Sequence, residues 1–399
     1  MAPPGFAPPS YSHDRIPTRL VNKEAPPVGI DTNGRAYIIF FSYLFLAVSL
    51  TAFVIAHLRS SYSRLIQSHT PRSPKLTKHV RMYAVLAIWS VLAIWSVLVV
   101  WYYELQYFKI SYQTWMRWRS YYDLTPDQMH WGLWLRETSL FREAWETAVV
   151  GNARYWWTHQ IFLFACALGV SLEQTEVRRG TKHAWAFILL GQIVSVGFAT
   201  NLYLLGLLLS PYPSPPPTST ESNPRKWLGP WVLSLLMIIF TEGPAHMLVD
   251  EHYWHHQTDF LPMVIIPHVA LLMLPVARAI LPRRFLANSS VETTGKAYGY
   301  LWAATILGGG LLFVRITVMS YGYSGVQGIL DALLEAPAVS SVAFDVIFCW
   351  LAWGVWWFIQ KPRPAASIKD KDGSEGVDAW TGRSSQAEPV REDNGVRRR

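Results

Sequence analysis

The first long apolar stretch of the chain decides the fold class. Residues 36–57 read AYIIFFSYLFLAVSLTAFVIAH and contain no Asp, Glu, Lys or Arg. About 20 apolar residues are enough for a helix to cross the hydrocarbon core of a membrane. Seven further apolar runs, bounded by charges, Pro or Gly, lie at 82–103, 155–172, 184–209, 228–249, 260–281, 298–320 and 339–359. The sequence therefore predicts an all-α integral membrane protein, a multi-pass bundle of about eight transmembrane helices.

The distribution of charge agrees with this prediction. Charged residues make up 16% of the 399 residues, against roughly 25% in a typical soluble domain. The segments 1–35 and 361–399 hold 23 of the 62 Asp, Glu, Lys and Arg residues. These values exclude a soluble enzyme, a disulfide-stapled secreted domain and a wholly disordered chain. They predict a disordered Pro-rich tail over 1–35, a membrane domain over 36–360 and a disordered charged tail over 361–399.

The basic residues indicate the orientation and the partners. The net charge is +8, but no nucleic-acid-binding motif accompanies it, so we expect the lipid bilayer as a partner and no nucleic acid. An even number of spans places both termini on one side. The predicted loops 242–259 and 321–338 have no Lys or Arg and favour cytosolic termini. The six Lys or Arg residues in the predicted loop 58–81 argue against cytosolic termini. With cytosolic termini, the glycosylation sequon at Asn288 stays unmodified. The oligomeric state is left open.

Two local features predict how the helices pack. In the aromatic connection 104–154, residues 125–128 read TPDQ, a helix-start signal. It predicts an interfacial helix between spans two and three, with Trp131, Trp134, Phe141 and Trp145 facing lipid or protein. In the fourth span, Gly191, Ser195 and Ala199 share one helical face and predict a small-residue packing stripe.

Ionisable side chains inside a membrane are costly and are candidates for function. Arg315 lies five residues before the end of span seven, and Asp345 six residues after the start of span eight. Antiparallel neighbours would place them at the same depth, which predicts a buried ion pair. The pair has two interpretations, structural support (or an Arg reaching the interface) and catalysis.

Three further acids are candidates. Glu242 lies where Gly243-Pro244 is predicted to interrupt span five, on the same side of the membrane as Asp345. An apolar surrounding favours the neutral form of such an acid, which could donate a proton; the alternative is an exposed acidic loop. On the opposite, cytosolic side lie Glu104, at the predicted end of span two, and Glu143, where a charged helix face is the alternative to a functional role.

A histidine cluster suggests a different chemistry. Residues 252–256 read HYWHH, which matches the HxxHH box of membrane di-iron desaturases and hydroxylases. Those enzymes resemble one another in having about three such boxes, and this chain has one, with His246 and His268 nearby. Imidazole and carboxylate suit iron or zinc. A metal-dependent oxygenase using the cluster at 246–256 is therefore an alternative function.

Four stretches carry a family resemblance. They are LWLRETSLFREAW (133–145), ARYWWTHQIFLFACALGVSLE (153–173), HAWAFILLGQIVSVGFATNLYLLGLLLSP (183–211) and FLPMVIIPHVALLMLP (260–275). Together they resemble the fungal membrane-bound terpene cyclases of the ascofuranone-pathway type, the ascI family. The resemblance covers most of residues 36–360 and rests on a pattern of aromatic and small residues.

The resemblance implies a protonation-initiated cyclase of the isomerase or lyase type. Such enzymes cyclise the epoxidised prenyl chain of a lipophilic meroterpenoid or related terpenoid, with no cofactor and no metal, and the family suggests the endoplasmic reticulum. This chain contains neither a DDxxD nor a DxDD motif, which agrees with that chemistry. The catalytic candidates are Glu242, Asp345, Arg315 and Glu143. A transporter and a non-catalytic membrane scaffold remain the other classes.

Overall fold

The computed structural model describes residues 34–68, 76–119, 130–179, 183–209, 231–254, 258–280 and 291–360. The regular elements in these ranges are all helical. The α-helices, in chain order, are α1 (Gly34–Ser68), α2 (Leu76–Arg119), α3 (Trp131–Glu137), α4 (Leu140–Val149), α5 (Asn152–Thr158), α6 (Gln160–Arg179), α7 (Ala184–Ile193), α8 (Val196–Leu209), α9 (Val232–Met247), α10 (Phe260–Ile280), α11 (Val291–Glu335) and α12 (Pro337–Gln360). Apart from Gly34 and Arg35, the predicted tails lie outside the described ranges, as do residues 125–128 and Asn288.

Five of the described helices, α1, α2, α10, α11 and α12, are long and apolar enough to cross a membrane. The side chains of Ile38 and Phe45 on α1 are 69% and 74% exposed, as expected for a face that contacts lipid rather than water. The prediction of an all-α, multi-pass membrane protein is therefore supported, while the count of eight spans is not confirmed.

The other three predicted spans do not form single long helices. The segment 155–172 is divided between α5 and α6 at His159, and the segment 184–209 is divided between α7 and α8 at Val194 and Ser195. The helix α9 has 16 residues. It also continues through Gly243 and Pro244, so the interruption predicted there is wrong. The hydroxyl of Tyr155 donates to the carbonyl of Ala245 at 2.5 Å, which helps to hold this last turn in place.

The buried centre of the bundle is α8. Eleven of its 14 residues are buried, which makes it an interior helix although its composition alone resembles a lipid-facing one. The helices α2 and α12 pack against it, and α12 also contacts α4, α5, α6 and α11. This arrangement places the N-terminal end of α8 deep inside the protein, beside α12.

The connection between α2 and α5 folds into the bundle as short helices. The predicted single interfacial helix is wrong, because Thr138 has extended backbone angles after α3 and Gly151 has φ 107° after α4, a conformation that favours glycine. Trp134 is buried, and its Nε1 donates to Ser111 Oγ at 3.2 Å. Phe141 stays half exposed, while Trp145 packs against the core.

Candidate functional site

The site begins at the break between α7 and α8. The backbone N–H of Phe198 donates to Ser195 Oγ at 3.0 Å, so Ser195 caps the N-terminus of α8. The same hydroxyl donates to Asp345 Oδ1 at 2.6 Å. The small-residue stripe predicted from Gly191, Ser195 and Ala199 is therefore wrong as a continuous helical face, because the helix stops at Ile193 and Ser195 serves as a cap.

Asp345 completes this cap from α12. Its Oδ2 accepts from the N–H of Val196 at 2.9 Å, and its Oδ1 accepts from the N–H of Gly197 at 2.7 Å. A carboxylate at a helix N-terminus is stabilised by the free N–H groups and by the helix dipole. A broken helix at membrane depth is tolerated only where its backbone groups find partners. On the other side of the break, the hydroxyl of Tyr43 donates to the carbonyl of Ile193 at 2.9 Å.

A cavity of about 570 Å³ opens beside this break. Its wall is largely aliphatic and aromatic, with Phe40, Tyr43, Trp101, Phe108, Phe141, Trp145 and Phe162 among the lining residues. The acidic side chains in the wall are Glu104 and Asp345, and Gln192 and His268 add a further polar pair. A concave, mainly apolar cavity with a few polar groups is the usual form of a small-molecule site.

Glu104 was expected on the opposite side of the membrane from Asp345, and that prediction is wrong. The helix α2 continues to Arg119, so Glu104 lies well inside the helix and faces α12. Its carboxyl group hydrogen-bonds with Ser341. Ser341 precedes Asp345 by four residues on the same face of α12, about 6 Å along the helix axis. The two acids therefore meet in one cavity.

The partners of the two acids differ. The carboxylate of Asp345 accepts from one hydroxyl and two N–H groups, which stabilise a negative charge. The hydroxyl of Ser341 lies between two acceptors, the carbonyl of Val100 at 3.3 Å and the carboxyl group of Glu104, so Glu104 has one hydroxyl partner. The cavity thus contains two acids with different hydrogen-bond partners, and both are candidates for proton transfer.

Arg315 and Asp345 do not form the predicted ion pair. Arg315 Nη1 donates to the carbonyl of His246 at 3.4 Å and is largely exposed. The two residues can lie at the same depth without being in contact, because Asp345 faces α8 and Arg315 is on α11.

Glu242 is buried outside the cavity wall. It hydrogen-bonds with Cys166, and its carboxyl group contacts Gly308, where a Cβ atom would overlap it. Its Oε1 has no hydrogen-bond partner among the described residues. The alternative of an exposed acidic loop is therefore wrong for Glu242, which is 5% exposed.

Glu143 supports the start of α4. Its Oε1 accepts from the N–H of Ser139 at 2.8 Å, and it is absent from the cavity wall. Burial raises the pKa of Glu143 above its ordinary value; the bond from Ser139 opposes this rise, and the neighbouring Glu146 adds to it. The predicted charged helix face is present as the pair Arg142–Glu146, 2.7 Å apart.

The histidine cluster is described in part. His246 Nε2 lies 3.1 Å from the carbonyl of Gly308, and His252 belongs to a short turn of 3-10 helix. His255 and His256 lie outside the described residues. Within the described ranges, no group of three or more His, Cys, Asp or Glu residues could hold a metal ion.

The sequence analysis named Glu104, Ser195 and His268 separately, but it did not predict that they and Gln192 line one cavity. The sequence QIVSVG at 192–197 carries one usable signal. A Ser followed two residues later by Gly inside an apolar run is compatible with a new helix start. No local signal pairs Gln192 with His268, since 76 residues separate them.

Comparison with known proteins identifies no relative. No protein-family model, no curated protein and no solved structure matches the chain.

Proposed function

We propose that this protein is a membrane-bound terpene cyclase that protonates an epoxide on a prenyl chain and closes a ring. The proposal rests on one observation: an aromatic-lined cavity inside the helix bundle holds two acids with different hydrogen-bond partners. The sequence resemblance to fungal meroterpenoid and terpenoid cyclases supports the same reaction. The substrate would be a lipophilic epoxyprenyl compound that enters from the bilayer.

Glu104 is the proposed general acid. Its proton is transferred to the epoxide oxygen, and the C–O bond at the more substituted carbon breaks, which leaves the positive charge on that carbon. The electron pair of a neighbouring alkene then forms the new C–C bond, and the positive charge moves along the chain. Asp345 accepts the proton lost in the final step, so the product is an isomer of the substrate. The proton returns to Glu104 between turnovers. Paired acids with different environments commonly divide the acid and base roles in this way.

The cavity wall provides the remaining requirements. A carbocation must be kept away from water until the ring closes. Aromatic faces stabilise cations, and Trp101, Trp145 and Phe162 line the cavity. Arg315, Glu242 and Glu143 lie outside the wall, so we assign them structural roles and keep Asp345 alone from the four sequence candidates.

We also propose eight membrane crossings, with α6, the pair α7–α8 and α9 completing the set. The pair α7–α8 would cross as one discontinuous helix. Both termini would lie in the cytosol, and the membrane would be that of the endoplasmic reticulum.

The test is expression in a fungal host supplied with epoxyprenyl aromatic and epoxyfarnesyl-type precursors. The expected product has the mass of the precursor and a shifted retention time, and it is absent from a host expressing Glu104→Gln. A product heavier by one oxygen would instead establish the oxygenase and contradict the cyclase. Failure to convert any precursor, with the protein correctly inserted, would also contradict it.

A further inference from the structure

A second polar pair lies on the cavity wall formed by α10 and α7. His268 Nδ1 hydrogen-bonds with the side-chain Oε1 of Gln192, and both residues line the cavity. Since the amide oxygen can only accept, Nδ1 carries the proton, and Nε2 of the neutral imidazole is an acceptor. The amide nitrogen of Gln192 keeps its N–H donors. The pair therefore offers one acceptor and one donor to a bound molecule.

Aromatic rings lie beside His268. The ring of His268 lies 6.0 Å from that of Phe141 and 6.1 Å from that of Trp145, measured between centroids. Trp145 in turn lies 6.0 Å from Phe162. All four rings belong to residues of the cavity wall. Edge and tilted contacts of this kind suit a flat ring placed among them.

The charge of the wall limits what can bind. Its residues include Glu104 and Asp345 and no Lys or Arg. An anionic ligand would have to approach these acids in a surrounding of low dielectric, without a cation to offset its desolvation. Carboxylate, phosphate and diphosphate head groups are therefore disfavoured, and an uncharged head group is favoured.

We propose that His268 and Gln192 form the docking site for the uncharged, hydroxyl-bearing ring at the head of the substrate. The hydroxyl donates to His268 Nε2 and accepts from the amide of Gln192, while the ring packs among Phe141, Trp145 and Phe162. The prenyl chain then extends along the same cavity toward Glu104 and Asp345. The identity of this ligand as a substrate rests on the proposed function, while the binding geometry does not.

The experiment measures binding to the full-length protein in lipid nanodiscs, through quenching of tryptophan fluorescence. The probes are a farnesyl-substituted phenol, its O-methyl ether and the corresponding carboxylate, none of which carries an epoxide. The phenol is expected to bind about tenfold more tightly than the ether, since one tenfold step corresponds to about 1.4 kcal/mol. In His268→Phe and in Gln192→Leu this preference is expected to disappear. His57→Phe is the control, because this partly exposed ring on α1 lies outside the cavity wall.

Several outcomes would overturn the assignment. One is equal affinity of phenol and ether for the unmodified protein, and another is carboxylate binding as tight as that of the phenol. Displacement of the phenol by a sterol at similar concentration would assign the site to a membrane lipid instead. Size-exclusion profiles show whether His268→Phe or Gln192→Leu fails to fold. If one fails, the phenol preference of the other variant tests the proposal. Because the probes cannot cyclise, absence of turnover with an epoxide would contradict the cyclase and leave this site standing.

Discussion

Asp345 and Gly197 are in direct contact at the centre of the protein. The N–H of Gly197 lies 2.7 Å from Asp345 Oδ1, and a Cβ atom at position 197 would lie 2.6 Å from the same oxygen. Glycine is therefore the residue that lets α12 bring a carboxylate onto the end of α8. Asp345 also lines the cavity.

Gly197→Ala is expected to displace Asp345 and to reduce cyclisation at least tenfold. The added methyl group overlaps the carboxylate, and the overpacking is expected to cost about 1–3 kcal/mol of stability. Gly354→Ala is the matched control, since a Cβ at that position of α12 meets no other atom within 4 Å. Product yield per folded protein is the measurement. Equal yields from the two variants would contradict the proposed position of Asp345.

Glu104→Gln is expected to lower the rate of cyclisation by about 10²–10⁴, the usual contribution of a general acid. The amide preserves the shape of the side chain but cannot supply the proton. Asp345→Asn is expected to lower both the rate and the stability, because its NH₂ group would face the N–H donors of α8. Glu146→Gln, which alters an acid outside the cavity wall, is the control. Wild-type rates for Glu104→Gln would remove Glu104 from the mechanism.

The ion pair Arg154–Glu335 is expected to respond asymmetrically to mutation. The Nε of Arg154 lies 2.8 Å from Glu335 Oε2, and the two side chains are 8% and 46% exposed. Glu335→Gln removes the anion from a buried guanidinium and is expected to cost about 2 kcal/mol. Arg154→Met leaves a carboxylate that water can reach and is expected to cost about 1 kcal/mol. Apparent melting temperatures check the order, and the reverse order would contradict this explanation.

Glu143 is expected to make the stability depend on pH. Because burial raises its pKa above the ordinary value of 4.5, the folded state binds this proton more tightly than the unfolded state. Its contribution to stability therefore falls as the pH rises from 4.5 through the raised pKa. Glu143→Gln is expected to match the wild type near pH 4 and to exceed its melting temperature at pH 7.5. Ser139→Ala, at the same helix end but without a titrating group, is expected to shift stability equally at both values. The same difference in melting temperature between Glu143→Gln and the wild type at both pH values would contradict the prediction.

Asn288 is expected to remain unglycosylated if both termini are cytosolic. The measurement is gel mobility before and after treatment with an endoglycosidase, in protein expressed in a fungal host. A new sequon placed in the connection between α9 and α10, on the opposite side in this orientation, is the positive control. A mobility shift at Asn288 alone would reverse the proposed orientation.

The sequence could predict the membrane class because hydrophobicity is a local property. The apolar runs at 36–57 and 339–359 are visible without any contact, and both belong to helices long enough to cross a membrane. The breaks at Ser195 and His159 were not predicted. In an apolar segment, helix propensity and periodicity continue through such positions. The backbone groups left without helical partners at the Ser195 break are satisfied by distant residues, Asp345 and Tyr43.

In the candidate site, too, some properties follow from the local sequence and others only from contacts between distant segments. The sequence by itself determined that Asp345 is a costly acid inside the membrane, since burial of a charge is unfavourable wherever the helix packs. The tertiary structure decided that its partners are Ser195 and α8 rather than Arg315, and that Glu104 shares its cavity. These choices depend on which helices are neighbours and on how far each helix extends. Both are fixed by packing between segments far apart in the chain, and spacing along the sequence does not encode them.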